Sequence, residues 1–194
     1  IGKNSFTKNE EAYKDYLKCY NELYPYADYF AINISSPNTK GLREFHNKSL
    51  LEPLIEKITS LNFRKPNPKP ILLKISPDLS FNELDQIIEI VLDYKIDGII
   101  ATNTSISREG LISKNKHEAG GVSGKPINKR SNEIISYISK KSNKAFPIIG
   151  VGGIMSAADA VEKIKSGADL VQLYTGFIYK GPSLIKKINN LLLK

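Results

Sequence analysis

Polar side chains stand inside or directly after the apolar runs of this 194-residue sequence. Asn33, Asn38 and Asn103 each carry an acceptor oxygen and a donor NH₂ group. Several carboxamides that converge on one point suit a ring with alternating C=O and N–H groups. Lys74 stands inside an apolar run, and an ammonium is costly to bury without an anion beside it. These residue types predict a flat polar substrate and an anionic partner for the lysine.

A pair of glycines in the last third of the chain indicates a phosphate. Gly152 and Gly153 end an apolar run, and Ser156 follows as a candidate helix N-cap. Free backbone N–H groups near a helix start bind phosphate well. A Gly-Gly pair alone is a weak signal, and Asn or Ser after a strand most often makes a turn. The agreement of five such segments favours a site for a phosphate-bearing cofactor.

Groups that could act as a base are scarce at these positions. Neither a histidine nor a pair of acidic residues follows the apolar runs. Ser36 is the candidate that remains, and a serine hydroxyl needs neighbours or a water chain to carry the proton away.

Alternating strands and helices are predicted to position these side chains. Short apolar runs predict buried strands at residues 29–34, 71–75, 97–102, 147–151 and 169–174. Helical periodicity predicts helices at residues 10–24, 49–61, 80–94, 129–141, 156–166 and 182–193. Ser80, with Glu83 after it, predicts a capping box at the start of the third helix.

Strands that alternate with helices predict a parallel sheet covered by those helices. A (β/α)8 TIM barrel is the first choice, and a doubly wound open sheet is the second. A barrel needs eight strands and about 250 residues. Ile1 is typical of the last residue of a strand, so we expect the missing strands to precede it. Residues 1–194 are then the C-terminal part of a single barrel domain.

Composition excludes several classes of protein. A formal net charge of +8 suits an anionic partner, but the lysines are scattered. The densest late group, Lys140, Lys141 and Lys144, has no aromatic residues between its members, and a solvated helix end is the favoured interpretation. A nucleic-acid-binding module, the non-enzyme alternative, leaves the five polar strand ends unexplained. One cysteine excludes an internal disulfide, and two separated histidines predict no metal site. No apolar stretch approaches the roughly 20 residues that span a bilayer.

The motifs at the strand ends resemble, in order, those of class 2 dihydroorotate dehydrogenases. The most specific is INISSPNT at residues 32–39, with GLR at 41–43. The others are IGKN at 1–4, LKISPD at 73–78, ATNT at 101–104, GGVSG at 120–124, IGVGGI at 149–154 and LYTG at 173–176. The resemblance spans the chain and implies a TIM barrel with FMN at the C-terminal ends of its strands.

The resemblance also implies a reaction, the oxidation of dihydroorotate to orotate in pyrimidine biosynthesis. Hydride leaves C6 of the substrate for flavin N5, and a proton leaves C5. By resemblance, Ser36 is the base, and Thr39 assists it in a proton relay. Asn33 contacts both flavin and substrate, and the residues that hold the pyrimidine ring are Asn38, Asn103 and Thr104.

The remaining assignments by resemblance concern the flavin. Lys74 lies near flavin N1 and the C2 carbonyl, where it stabilises negative charge on the reduced ring. The other residues implied to contact FMN are Thr102, Gly124, Gly153, Tyr174 and Thr175, the last three around its phosphate.

Serine at position 36 implies class 2, because class 1 relatives have cysteine there and use soluble acceptors. In class 2 a quinone takes the electrons, and an N-terminal helical extension gives peripheral membrane association. Neither that extension nor the first strands are in this chain, so we expect the chain alone to be inactive. The short connection at 61–70 favours the cytoplasmic side of a bacterial membrane, with the mitochondrial inner membrane as the alternative.

Two other flavin barrels are alternatives. A dihydropyrimidine dehydrogenase domain is expected to have cysteine at position 36, and a dihydrouridine synthase to have a dedicated tRNA-binding extension. Ser36 and the pair Asn33 and Asn38 argue against both.

Overall fold

One parallel sheet forms the centre of the protein, whose computed structural model describes residues 1–193. Its five strands are β1 (Phe30–Asn33), β2 (Ile71–Ile75), β3 (Gly98–Ala101), β4 (Ile148–Val151) and β5 (Leu170–Gln172). Each strand pairs with the next along the chain, in the order β1-β2-β3-β4-β5. A doubly wound sheet reverses its order at a switch point, whereas a barrel keeps it. The strand order therefore contradicts the open-sheet alternative.

Two predictions about strand pairing are confirmed. The strands predicted at 71–75 and 97–102 are adjacent and parallel, with Leu72 beside Gly98 and Ile75 beside Ala101. The Ile1 nitrogen donates to the carbonyl of Ala31 at 2.8 Å. The N–H of Asn33 donates to the Ile1 carbonyl at 2.9 Å. Ile1 thus continues the hydrogen-bond ladder beyond β1, as expected of a strand end.

Helices follow the strands and cover one face of the sheet. They are α1 (Ala12–Leu23), α2 (Lys48–Phe63), α3 (Phe81–Asp93), α4 (Asn128–Lys141), α5 (Ala157–Lys165), α6 (Thr175–Lys180) and α7 (Ser183–Leu192). The capping box is confirmed, since Ser80 N–H donates to Glu83 Oε2 at 2.8 Å and Glu83 N–H donates to Ser80 Oγ at 3.3 Å. Among the described residues, no helix combines the length and the apolar composition needed to cross a membrane.

The structure corrects the prediction at the end of the last strand. A strand was expected to reach residue 174, but β5 ends at Gln172, and Thr175 begins the short helix α6. Sequence periodicity misses α6 because it is shorter than two turns and contains Gly176. The chain from Tyr174 onward is therefore the start of a helix beside the sheet.

Side chains alternate between the two faces of the sheet. Ile71, Leu73 and Ile75 of β2 join the main core against the helices. Leu72 packs with Ile100 on the opposite face, which in a barrel is the interior.

Candidate active site

Asn33 and Lys74 are neighbours on the inner face of the sheet, across β1 and β2. Lys74 follows Leu72 by two residues, so it points to the same face, and Asn33 is its partner in the register. The hydroxyl of Tyr16, in α1, donates to the Asn33 carbonyl at 2.8 Å from the helical side. The sheet thus sets a carboxamide and an ammonium side by side at its C-terminal edge.

A hydrogen-bonded cluster joins the loop after β1 to the loop after β3. Asn33 Oδ1 accepts from Ser35 Oγ at 3.1 Å and from Asn103 Nδ2 at 3.2 Å. Asn103 Nδ2 also donates to Ser35 Oγ at 3.0 Å. Asn103 Oδ1 accepts from the Thr104 N–H at 2.8 Å. Asn33 and Asn103 converge as predicted, and the buried Ser35 is part of the cluster. Asn38, which was predicted to converge with them, is exposed and lies outside the cluster.

Lys74 and Thr102 present polar atoms without partners to a common cavity. Burial lowers the pKa of Lys74, and its Nζ has no hydrogen bond or ion pair with any residue in 1–193. The side chain of Thr102 is buried, and its Oγ1 has no partner among these residues either. Both groups line a cavity of about 260 Å³ at the strand ends. An anionic or acceptor group in this cavity satisfies both.

A glycine turn after β4 forms another wall of this cavity. Gly153 has φ 75°, and a Cβ at this position would lie 2.5 Å from the Cβ of Asn128. Only glycine therefore allows the turn to rest against α4. The N–H groups of Gly153, Ile154 and Thr175 have no acceptor within residues 1–193, and all three residues line the cavity. Unpaired N–H groups beside a helix start form an anion site.

Gly124 and Tyr174 complete the lining of this end of the cavity. Thr175 Oγ1 donates to Ser123 Oγ at 3.0 Å, which ties the start of α6 to the loop before α4. The cavity therefore receives residues from the ends of β2, β3, β4 and β5, four of the five strand ends that the sequence predicted. The residues at the end of β1 are not in its lining.

Ser36, Asn38 and Thr39 lie on the loop after β1, outside the lining of that cavity. Ser36 is partly buried, and its Oγ accepts from the Asn38 N–H at 3.3 Å. Asn38 is exposed, and Thr39 has no hydrogen bond to Ser36. The structure joins Asn33, Asn103, Thr104 and the cavity residues, but it brings no direct Ser36–Thr39 relay together.

The connection at 105–124 folds back over this loop. Ser105 and Val122 exchange two backbone hydrogen bonds, of 3.0 and 2.7 Å, that close its base. A Cβ at Gly121 would lie 1.9 Å from Thr104 Oγ1 and 3.0 Å from Pro37 Cγ. Glycine therefore lets the connection pack directly on Thr104 and on Pro37, the residue after Ser36.

The family model described as dihydroorotate dehydrogenase matches residues 3–194. The chain belongs to the dihydroorotate dehydrogenase family. It is 59% identical over 194 residues to the dihydroorotate dehydrogenase (quinone) of Christiangramia forsetii, covering 100% of this chain and 57% of the relative. It is 48% identical over 192 residues to the enzyme of the same name from Idiomarina loihiensis, covering 97% and 58%.

A solved structure of the family shows the same fold. The crystal structure of DHODH from Eimeria tenella in complex with ferulenol matches with a TM-score of 0.93 and 36% identity, over 100% of this chain and 56% of that one. The chain thus has the fold of part of a TIM barrel and spans a little over half the length of the family members it matches.

Sequence reasoning missed an ion pair that joins three loops of this family member. Arg43 Nη1 donates to Asp78 Oδ2 at 2.7 Å, Nε to the Ser35 carbonyl at 3.2 Å, and Nη2 to the Thr104 carbonyl at 2.9 Å. Asp78 in turn accepts from Ser105 Oγ and from the Ile106 N–H. Burial raises the pKa of Asp78, but these hydrogen bonds and Arg43 outweigh it and hold the pKa below its usual range.

Nothing in the local sequence marks this pair. Arg43 and Asp78 lie 35 positions apart, in loops where a charged residue usually faces water. The strand order brings the loops after β1, β2 and β3 together and so creates the contact.

Proposed function

We propose that the protein to which this chain belongs is a quinone-dependent dihydroorotate dehydrogenase of pyrimidine biosynthesis. The observation that carries the proposal is the Lys74 ammonium, which lines a cavity between a carboxamide cluster and a glycine turn. Neither this ammonium nor the N–H groups of the turn have a partner within residues 1–193. Family membership and the names of the relatives support the same reaction.

The residues of the cavity fit FMN. Thr102 Oγ1 and Lys74 Nζ, both without partners in the described chain, suit the polar edge of a flavin ring. Gly153 and Thr175, with their free N–H groups, suit a phosphate, beside Gly124 and Tyr174. FMN, when bound, supplies the acceptor for the hydride from C6 of dihydroorotate. Lys74 would stabilise negative charge on the reduced ring, since a desolvated cation interacts strongly in a dry site.

The carboxamides hold the pyrimidine ring. In the structure Asn33 and Asn103 satisfy each other partly through Ser35, and each retains donor or acceptor capacity for a ligand. Asn38 is exposed and free to turn towards a substrate. Thr104 adds a hydroxyl next to Asn103. Together these side chains can hydrogen-bond to the alternating C=O and N–H groups of the ring.

Ser36 accepts the proton from substrate C5. A serine hydroxyl is a poor base near neutral pH, so the proton must leave through neighbours, with Thr39 and water as the proposed exit. Ser36 and Thr39 share no direct hydrogen bond in the described residues, so the proposed relay includes water between them.

Quinone as the electron acceptor follows from the names of the relatives. Serine at position 36 supports the same class. The proposal includes peripheral association with a membrane through an N-terminal extension. The favoured membrane is the bacterial cytoplasmic membrane.

The test is single-turnover reduction of bound FMN by dihydroorotate in the protein expressed from its complete gene. Ser36→Ala should bind FMN normally and slow reduction by about 10²- to 10⁴-fold, the range of one general base. Ser36→Cys should retain part of the rate, because a thiol is more acidic and its thiolate accepts the proton.

Ser113→Ala is the matched control. Ser113 Oγ accepts from the N–H of Asn115, two residues further along the chain, at 3.2 Å. Ser36 Oγ accepts from the N–H of Asn38 in the same way, so the two serines form the same type of turn. Ser113 is exposed on the connection at 105–124 and should leave the rate unchanged. If Ser36→Ala reduces its flavin at the wild-type rate, Ser36 is only a turn residue. A wild-type protein that binds no flavin refutes the whole proposal.

A further inference from the structure

A lysine lies fully buried behind the glycine turn of the candidate site. Lys163, in α5, is 0% exposed, whereas Lys165 on the same helix is exposed. Its stem passes over β4, where a Cβ at Gly150 would lie 3.2 Å from Lys163 Cδ. Burial lowers the pKa of Lys163 to about 8. This pKa is above neutral pH, so the side chain of Lys163 is mostly protonated. A buried positive charge is costly unless an interaction with another group offsets the cost.

The ammonium has amide oxygens as partners and no carboxylate. Lys163 Nζ donates to Asn132 Oδ1 at 2.6 Å and lies 3.5 Å from the Asn128 carbonyl. Within residues 1–193 no acidic oxygen lies within 4.0 Å of this Nζ, although Asp159 and Glu162 are near enough to raise its pKa slightly. The positive charge is therefore only partly offset by the protein.

The partners of Lys163 lead directly to the glycine turn. Asn132 Nδ2 donates to Asn128 Oδ1 at 3.4 Å, and Asn128 Nδ2 donates to the Gly153 carbonyl at 3.1 Å. A trans peptide points its C=O and N–H in opposite directions. Fixing the Gly153 carbonyl on Asn128 therefore turns the N–H of Ile154 away from α4, and that N–H is one of the unpaired groups of the cavity.

We propose that Lys163 is a positioning residue for the flavin phosphate, through its Asn132–Asn128 bridge to the Gly153 turn and through its uncompensated charge behind that turn. This inference rests on the proposed function, because the anion it serves is the phosphate of FMN. The charge favours an anion on the other side of the turn, and the bridge holds the turn in the shape that receives it.

The test compares two flavins in the protein expressed from its complete gene. FMN carries the phosphate, and riboflavin has the same ring without it. Lys163→Met keeps the length and apolar volume of the stem and removes the charge. We expect it to weaken FMN binding roughly tenfold, the size of one partly screened charge interaction, with riboflavin binding unchanged. Fluorescence titration of the flavin-free protein measures both dissociation constants.

Lys165→Met is the matched control, with the same change of charge on the same helix at an exposed position. It should leave both dissociation constants unchanged.

Asn132→Asp tests the charge and the bridge together while Lys163 itself is kept. The aspartate forms an ion pair with Lys163, which cancels the charge and removes the hydrogen bond to Asn128 with almost no change of shape. The variant should lose FMN affinity and keep riboflavin affinity and its thermal midpoint, and it decides the question even where Lys163→Met does not fold.

An unchanged ratio of FMN to riboflavin affinity in Asn132→Asp overturns the inference while leaving the proposed function standing. Loss of both affinities together overturns it as well, because a phosphate-specific role predicts a loss for FMN alone. A wild-type protein that binds neither flavin refutes the proposed function itself.

Discussion

Arg43 is predicted to stabilise the protein through its ion pair with Asp78, by more than an ordinary surface pair. Arg43→Met removes that ion pair and the hydrogen bonds to the Ser35 and Thr104 carbonyls. Asp78 keeps its bonds from Ser105 and Ile106 but loses its counter-ion. The loops after β1, β2 and β3 then lose the side chain that joins them.

The burial of the pair sets the magnitude. The side chains of Arg43 and Asp78 are 20% and 23% exposed. Exposed pairs contribute about 0–1 kcal/mol, and breaking a buried pair costs about 3–5 kcal/mol. A pair that is mostly buried, with two further hydrogen bonds to carbonyls, should lie between these limits. We expect Arg43→Met to lower the free energy of unfolding by roughly 2–3 kcal/mol.

The assay is a double-mutant cycle in urea with Arg43→Met, Asp78→Asn and the double variant. The coupling free energy should be about 1–2 kcal/mol. Because the pKa of Asp78 is held below its usual range, the pair stabilises the fold above the ordinary carboxyl pKa and loses this effect as pH falls through the lowered value. The coupling should therefore disappear in strong acid.

The comparison is a cycle on Lys141 and Asp85, which lie 3.0 Å apart with side chains 52% and 33% exposed. Its coupling should be about 0.5 kcal/mol or less. Equal couplings in the two cycles would refute the argument from burial, and a coupling near zero for Arg43 and Asp78 would make their contact incidental.

Two further predictions concern titratable groups that are partly or fully buried. Lys74→Ala should slow stopped-flow reduction of FMN by dihydroorotate far more than it lowers the thermal midpoint, since Lys74 has no partner within the described chain; an unchanged rate with a large loss of stability would make the lysine structural. Burial, and to a lesser extent Arg43, lowers the pKa of His46 to about 4. Between about pH 6.5 and 4 the unfolded chain therefore binds a proton that the folded protein does not. The free energy of unfolding falls as pH falls through that window. Between pH 7 and 4, wild type should lose roughly 3 kcal/mol more unfolding free energy than His46→Gln in urea titrations, and parallel losses would show that His46 is protonated without penalty.

The sequence by itself determined the elements and the order of the motifs. Strand and helix patterns are local, because a backbone period or a capping box involves residues a few positions apart. The cap at Ser80 was therefore predictable. The pairing of the strands at 71–75 and 97–102 was predictable for another reason, since one helix connects them and consecutive strands of this kind are usually neighbours. Motifs such as INISSPNT carried the family, and the family model confirms it.

Part of the candidate site could also be predicted from the sequence. If parallel strands follow one another, their C-terminal ends meet, so the approach of Asn33 to Asn103 and the common cavity of Lys74 and Thr102 followed from the strand assignments. The roles of Ser36, Asn38 and Thr39 rest on the resemblance and remain predictions.

Only the tertiary structure decided which charged side chains are buried and paired. Lys163 and Lys165 are both lysines of one amphipathic helix, and only the packing of α5 against α4 and β4 buries the first and leaves the second in water. Arg43 and Asp78 meet because two loops distant in sequence end at one edge of the sheet. Periodicity reports which face of a segment is apolar, whereas desolvation and pairing depend on what another segment places against it.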